Sequence, residues 1–489
     1  MGLWRGVAVA VAVIGAAACG DYERAAPAAD VGGGGPADGV GAEDVAPGPI
    51  VGTAVAREAQ RPGNAANGFA VLASGDYVGC GVPAALAPVA QSAGLFGDWP
   101  PLPGREEALP YFLSRFTVQS GVEVVGPNCF TCHANVIDGE VVIGAPATDL
   151  DYGGFAGQID AFRGQVAALE GVLEPESYAE LSRFAERMGA VAPYVQPAVA
   201  GVSPADNLAA ILFAHRDPVT MAWSEEPLLE PPPTAVVPVD VPPWWRMGKK
   251  ASLFYTAAGR GDLARAMMGA STLCVDDVAE ARRMDAAFPD VLAYLEALEA
   301  PPWPYGGVDE AEAAAGEAVF EAECADCHGT YGAGGRYPNV WIDVDEVGTD
   351  ATLAVGASNF AQRFVDWFNG SFFGELARLE PQAGYVAPPL DGIWATAPFL
   401  HNGSVPTLRA LLDSRERPKY WRRQAGYDEA AVGFRFEALE VGHAGIANPS
   451  ARRRIYDTTL VGYGAGGHRY GDDLTDAERD AVIAYLKTL

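Results

Sequence analysis

Two short segments carry residue types and spacing suited to covalent haem chemistry: Cys129-Phe130-Thr131-Cys132-His133 and Cys324-Ala325-Asp326-Cys327-His328. Each is C-x-x-C-H, the spacing of c-type haem attachment. Two thiols three positions apart reach the two vinyl groups of one haem as thioethers, and the adjacent imidazole then lies under the iron. A redox dithiol or a zinc site uses the same C-x-x-C step, but zinc needs a second pair close in sequence. Neither copy has one, and two copies among seven cysteines leave little room for chance. The expectation is two covalently bound haem c groups, attached through Cys129, Cys132, Cys324 and Cys327, with His133 and His328 as iron ligands.

The opposite face of each iron decides what it does. Met is the usual electron-transfer ligand, yet none of the seven methionines follows His328. Three histidines do: His401, His443 and His468. His468 sits in Gly466-Gly467-His468-Arg469-Tyr470-Gly471, a loop just before the last helical stretch. It is the expected sixth ligand of the second haem, with His401 as the alternative and a solvated loop histidine as the plain reading. After His133 no His or Met occurs before Met188. The first iron is therefore expected to be open or water-bound, the state that supports oxygen or peroxide chemistry. His215 is a candidate to close it, or a surface or core residue.

Helical and strand signals surround these motifs. Residues 309–323 are rich in Ala and Glu and run into the second motif, and Thr475-Asp476-Ala477-Glu478 reads as a capping box opening a final helix. In a cytochrome c fold the first and last helices cross, and Gly316 facing Tyr485 suits that crossing. Around the first motif, residues 122–125 and 136–143 are β-branched, with Asp138-Gly139 as a hairpin turn. The expected fold is mainly α: two cytochrome c-type haem domains with long irregular loops and a minor β-hairpin.

Composition bounds the rest. The chain has 489 residues, with 33 Lys+Arg against 63 Asp+Glu and a net charge of −30. That balance argues against nucleic acid as a partner and against a polybasic membrane surface. Hydrophobic residues at 49% are ample for a buried core. Arg5, an apolar run from Val7 to Ala18, and Ala16-Ala17-Ala18-Cys19-Gly20 read as a lipoprotein signal with Cys19 as the lipidated residue. An ordinary cleavage site beside an incidental cysteine is the alternative. Either places the mature protein outside the cytoplasm: periplasmic or on the cell surface, and on the first reading lipid-anchored to a bacterial membrane.

The expected organisation is a signal at 1–19, an Ala/Gly/Pro tether at 20–65, a first haem domain at 66–226, a Pro-rich connection and inter-haem segment at 227–305, and a cytochrome c domain at 306–489. With Cys19 on lipid and four cysteines on haem, Cys80 and Cys274 are left as a candidate disulfide or as two free buried thiols.

The segment from Leu390 to Leu408, containing Thr396-Ala397-Pro398-Phe399-Leu400-His401-Asn402-Gly403-Ser404-Val405-Pro406-Thr407-Leu408, resembles the T-A-P-Y-L-H-N-G-S-V-P-T-L signature of the bacterial di-haem cytochrome c peroxidase superfamily. That group includes the methylamine dehydrogenase maturation enzyme and the di-haem rubber oxygenases, and the resemblance covers roughly residues 66–489. Trp244-Trp245-Arg246-Met247-Gly248-Lys249-Lys250, Gly259-Arg260-Gly261-Asp262 and Tyr77-Val78-Gly79-Cys80-Gly81-Val82-Pro83 look closer to the rubber-oxygenase branch.

The resemblance implies a reactive N-terminal haem at His133 and an electron-transferring one at His328 with His468. It also implies a bridging aromatic, Trp244 or Trp245, for which core packing is the competing reading, and a role for His401 within the signature. Lys249, Lys250 and Arg260 are candidates to neutralise haem propionates, or are solvated. Implied partners are a redox protein or small-molecule electron donor, with peroxide, dioxygen or a polyisoprene-like substrate. The chain departs from the peroxidases in having no methionine for the second haem. The competing functional reading is an electron-transfer cytochrome with both irons six-coordinate; a redox-sensing lipoprotein is a third.

Overall fold

A computed structural model of the chain describes residues 52–92, 99–105, 107, 109–156, 158–359 and 361–489. Cys19, the expected signal and the tether up to residue 51 lie outside the described residues. Residues 52–65, the end of the expected tether, are held on the body. Thr53–Ala54 pairs antiparallel with Val340–Asp343, and the Arg61 guanidinium spans Asp262 at 2.9 Å and Asp285 at 2.7 Å.

The helix Glu310–Glu323 begins where the Asp309 carboxylate accepts the Ala311 and Glu312 amides, each at 2.9 Å. Glu310 and Glu312 add negative charge at the positive end of the helix dipole. It crosses the terminal helix Asp476–Leu486, which opens with the reciprocal Thr475–Glu478 capping box. A β-carbon on Gly316 would collide with the Ala481 carbonyl, so glycine lets the two backbones touch. Tyr485 packs instead on Phe320, ring centroids 5.3 Å apart. The contact expected between Gly316 and Tyr485 is thus divided between two neighbouring positions.

The mainly α expectation is corrected by the structure, whose described residues are 39% helix and 15% strand. Among the described residues the strands form three three-stranded sheets and two two-stranded ones. The hairpin Ala134–Ile137 with Glu140–Ile143 is one of them; Asp138 and Gly139 turn it with φ of 51° and 87°. The others escape a periodicity argument because many of their strands are two to five residues long and their partners lie far away in sequence.

Nor do the described residues show two consecutive haem domains. One apolar core runs from Leu72 to Phe288 and Leu295 and also takes in Phe364, Trp367, Phe368 and Phe373. A second, around Phe320, Trp394 and Val482, takes in Val199 and Val202. Phe213 stacks on Trp367 at 4.5 Å, and the Trp367 indole donates to the Arg216 carbonyl at 2.8 Å. Each half of the chain therefore completes the other's interior. Among the described residues, no helix is long and apolar enough to cross a membrane.

Candidate haem sites

The first motif is a single helical turn, Phe130–His133, set by buried Asn128. The Asn128 side chain accepts the Phe130 amide at 2.9 Å and donates to the Tyr111 carbonyl and the Ser114 hydroxyl, both at 2.9 Å. Its hydrogen-bonding capacity is largely committed to holding this turn. The Tyr77 hydroxyl accepts the Cys129 amide at 3.1 Å and donates to the Leu72 carbonyl at 2.9 Å. Cys80 and Cys274 form a disulfide, Cα atoms 5.7 Å apart, that ties the Tyr77 loop to the segment after Ser271. Cys129 and Cys132 are not in disulfides, and burial pushes the Cys129 thiol up to about 12.

His133 stacks on Trp244, with centroids 4.8 Å apart and planes 20° from parallel. Its Nδ1 is buried without a hydrogen bond. Burial brings its pKa down to about 4, against the pull of the Pro242 carbonyl. The ring is therefore neutral, the protonation state that binds a metal.

The second motif turn, Ala325–His328, follows the helix that crosses the terminal one. His328 Nδ1 donates to the Pro388 carbonyl at 2.8 Å. Since a carbonyl only accepts, the proton is on Nδ1 and the Nε2 lone pair is free for iron, the usual arrangement for a metal-bound histidine. The Tyr331 hydroxyl donates to the His328 carbonyl at 3.0 Å and accepts the Leu390 amide at 2.7 Å, tying the motif to the signature segment.

Opposite His328 stands His468, with ring centroids 6.1 Å apart. Two imidazoles on opposite sides of one metal, each nitrogen about 2.0–2.1 Å from it, would put their centroids roughly 6.3 Å apart. The 6.1 Å separation of the two rings matches that spacing. His468 has left-handed backbone, φ 45°, and its amide donates to the Val347 carbonyl at 2.8 Å. Burial, and then the neighbouring His328, push its pKa down to about 3, so it too presents a neutral ring.

Arg417 holds this loop. Its guanidinium donates to the carbonyls of Ala465 at 2.8 Å, Gly467 at 2.6 Å and His468 at 2.8 Å. Sequence reasoning missed Arg417 because its partners are backbone atoms, which leave no residue pattern.

The other expected residues separate. His401 is buried and stacks on Tyr385 at 4.1 Å, whereas the imidazole paired with that of His328 is His468. His215 stacks on Trp223 at 4.6 Å with Nδ1 donating to the Ser224 carbonyl at 2.8 Å. His443 donates through Nε2 to the Ile455 carbonyl at 2.8 Å.

Trp244 and Trp245 open the short 3-10 helix Trp244–Lys249. Trp245 Nε1 and Arg246 Nε both donate to the Asp391 carbonyl, at 2.8 and 3.0 Å. Lys249 pairs with the Asp391 carboxylate at 2.6 Å. One short helix thus touches His133 through Trp244 and the loop that orients His328 through Asp391. Arg260 lies on the strand Gly259–Gly261, in a charged group with Glu58, Arg378 and Glu380.

These residues fit haem c: free paired cysteines, neutral histidines with an orientating carbonyl on one of them, and a metal-sized gap. Comparison with known proteins agrees. A family model described as RoxA-like, cytochrome c-like matches residues 384–422, the segment holding Pro388, Asp391 and the signature. A cytochrome c-like domain implies covalent haem c. Two relatives are uncharacterized proteins of Sinorhizobium fredii (strain NBRC 101917 / NGR234). Protein y4iJ is 32% identical over 291 residues, 45% of this chain and 46% of that protein; the chain thus spans about half the length of y4iJ. Protein y4iM is 30% identical over 323 residues, 58% of this chain and 71% of that protein. With a RoxA-like cytochrome c segment and a match across most of y4iM, the chain belongs to the same family as y4iM.

Proposed function

We propose that the chain is an exported di-haem c-type cytochrome oxidoreductase. Cys129, Cys132 and His133 would hold a haem that supplies peroxide or dioxygen activation, and Cys324, Cys327 and His328 would hold one that supplies electron transfer. The observation that carries this reading is the asymmetry of the two motif histidines. His328 faces His468 across a metal-sized gap, whereas the ring partner of His133 is Trp244.

When bound, haem c supplies a redox-active iron, whose axial partners separate electron transfer from oxygen chemistry. The protein's part is position. His468, clamped by Arg417, would fill the sixth position of the second site. Trp244, packed between Phe130 at 5.6 Å and His133 at 4.8 Å, keeps water from the face of the first histidine. The Trp244–Lys249 helix joins that face to the Asp391 loop, a packed connection between the sites.

Residues 1–19 would direct export and Cys19 would carry the lipid, leaving the body on the periplasmic or cell-surface side. The acidic charge suits a basic redox protein as electron donor. Turnover tests the reading: the purified two-haem protein is given peroxide with a reduced donor, and in parallel dioxygen with polyisoprene latex. Consumption of either oxidant, abolished by H133A, is expected. A protein that exchanges electrons but consumes neither oxidant is an electron-transfer cytochrome, and the oxygen-activating reading fails.

A further inference from the structure

Between the two histidine sites lie two cations, Arg246 and Lys250, that make no ion pair among the described residues, although Asp391 and Asp240 are near enough to act on Arg246. Arg246 is only 5% exposed. Its Nε donates to the Asp391 carbonyl, but Nη2 is buried without a hydrogen-bond partner. Lys250, four residues on, is half-buried, and among the described residues its ammonium has neither an ion pair nor a hydrogen bond. Burial first, and then Arg246, push the Lys250 pKa down to about 8. Of the nearby carboxylates, Asp391 binds Lys249 through Oδ1 at 2.6 Å and leaves Oδ2 buried without a partner, and Asp240 Oδ2 accepts the Tyr255 hydroxyl at 3.4 Å. Burial pushes the Asp240 carboxyl well up, away from its charged form.

Buried charge without a counter-ion is strongly unfavourable, and two cations side by side are worse. A guanidinium fork with a free edge is shaped for a carboxylate. The position is specific as well. Arg246 lies two residues after Trp244, which stacks on His133, and is tied to the loop whose Pro388 carbonyl orients His328. Arg246 is close enough to act electrostatically on His328, and Lys250 on His133.

We propose that Arg246 and Lys250 form one carboxylate seat shared by the two sites, Arg246 taking a haem propionate at His328 and Lys250 one at His133. The seat rests on the di-haem reading above. Its positive charge would oppose the ferric state of a bound haem, so it would raise the reduction potential of both irons. The step concerned is the one-electron couple of each iron, with the electron exchanged with an external mediator.

Spectroscopic redox titration of the holoprotein tests this in R246Q, R246K and K250Q, after haem content has been measured by mass. R246Q is expected to make the low-spin haem about tenfold harder to reduce at a fixed potential, or about 59 mV lower for a one-electron couple. K250Q is expected to act mainly on the other haem, and R246K to titrate near wild type. A two-haem protein whose R246Q and K250Q variants titrate as wild type overturns the seat alone. So does an R246K shift as large as that of R246Q, because charge is then not the cause. A wild-type protein carrying a single haem overturns the di-haem reading and, with it, a shared seat.

Discussion

His328 and His468 face each other with centroids 6.1 Å apart and planes inclined at 58°, and each is fixed by a different device. His328 is turned by the Pro388 carbonyl, a signature-segment atom. His468 is carried by a left-handed residue in a loop clamped by Arg417. Replacing His468 with Ala should therefore convert the second haem from low to high spin and open it to carbon monoxide. H401A should leave that spectrum unchanged, since His401 is stacked on Tyr385. An unaltered low-spin spectrum in H468A would remove His468 from the ligand set.

Arg417 should matter to the same haem without touching it. R417A leaves the carbonyls of Ala465, Gly467 and His468 without their donors. At about 1–3 kcal/mol for breaking a charged hydrogen-bond set, the loop should detach part of the time. The expected result is a mixed-spin second haem with a rising high-spin fraction on warming, partly restored in R417K. A fully low-spin spectrum at all temperatures in R417A would show that the loop holds itself.

Both motifs were legible from sequence alone because thioether chemistry dictates residue type and spacing within five positions. The Asp138-Gly139 hairpin was legible for a similar local reason: both turn residues adopt positive φ, which that pair tolerates. The small sheets were not legible. Thr53 pairs with Trp341, and Gly259 with Leu379, through strands of two to four residues that show no alternation. Arg246 and Arg417 stayed hidden because one answers to an anion outside the chain and the other to backbone carbonyls. The mainly α expectation failed where strands were short, and the two-domain expectation failed because residues 364–373 and 199–202 cross to the opposite core.

Gly316 is the point where the helices Glu310–Glu323 and Asp476–Leu486 touch. G316A places a methyl group into the Ala481 carbonyl. Overpacking of that kind costs about 1–3 kcal/mol, so the denaturation midpoint in urea should fall with little change in slope. A neutral G316A would mean that the helices separate at no cost.

Acid should weaken the terminal-helix region through Asp413. Its carboxylate, 4% exposed, is held at 2.7 Å by Arg415 and 3.6 Å by Arg479. Arg415 first among its partners brings the pKa from 3.8 to about 2. A folded-state pKa below the unfolded one contributes stability above pH 3.8 and loses it as pH falls through about 2. Stability should therefore decline between those values in the wild type and decline less in D413N. Parallel acid profiles for the two proteins would contradict this.

The most direct measurement of the central claim is low-temperature electron paramagnetic resonance of the fully oxidised protein, before and after cyanide. Two ferric haems in equal amounts are expected: one low-spin and unaffected by cyanide, and one high-spin that cyanide converts. A single haem signal, or two low-spin signals that cyanide leaves untouched, would contradict it.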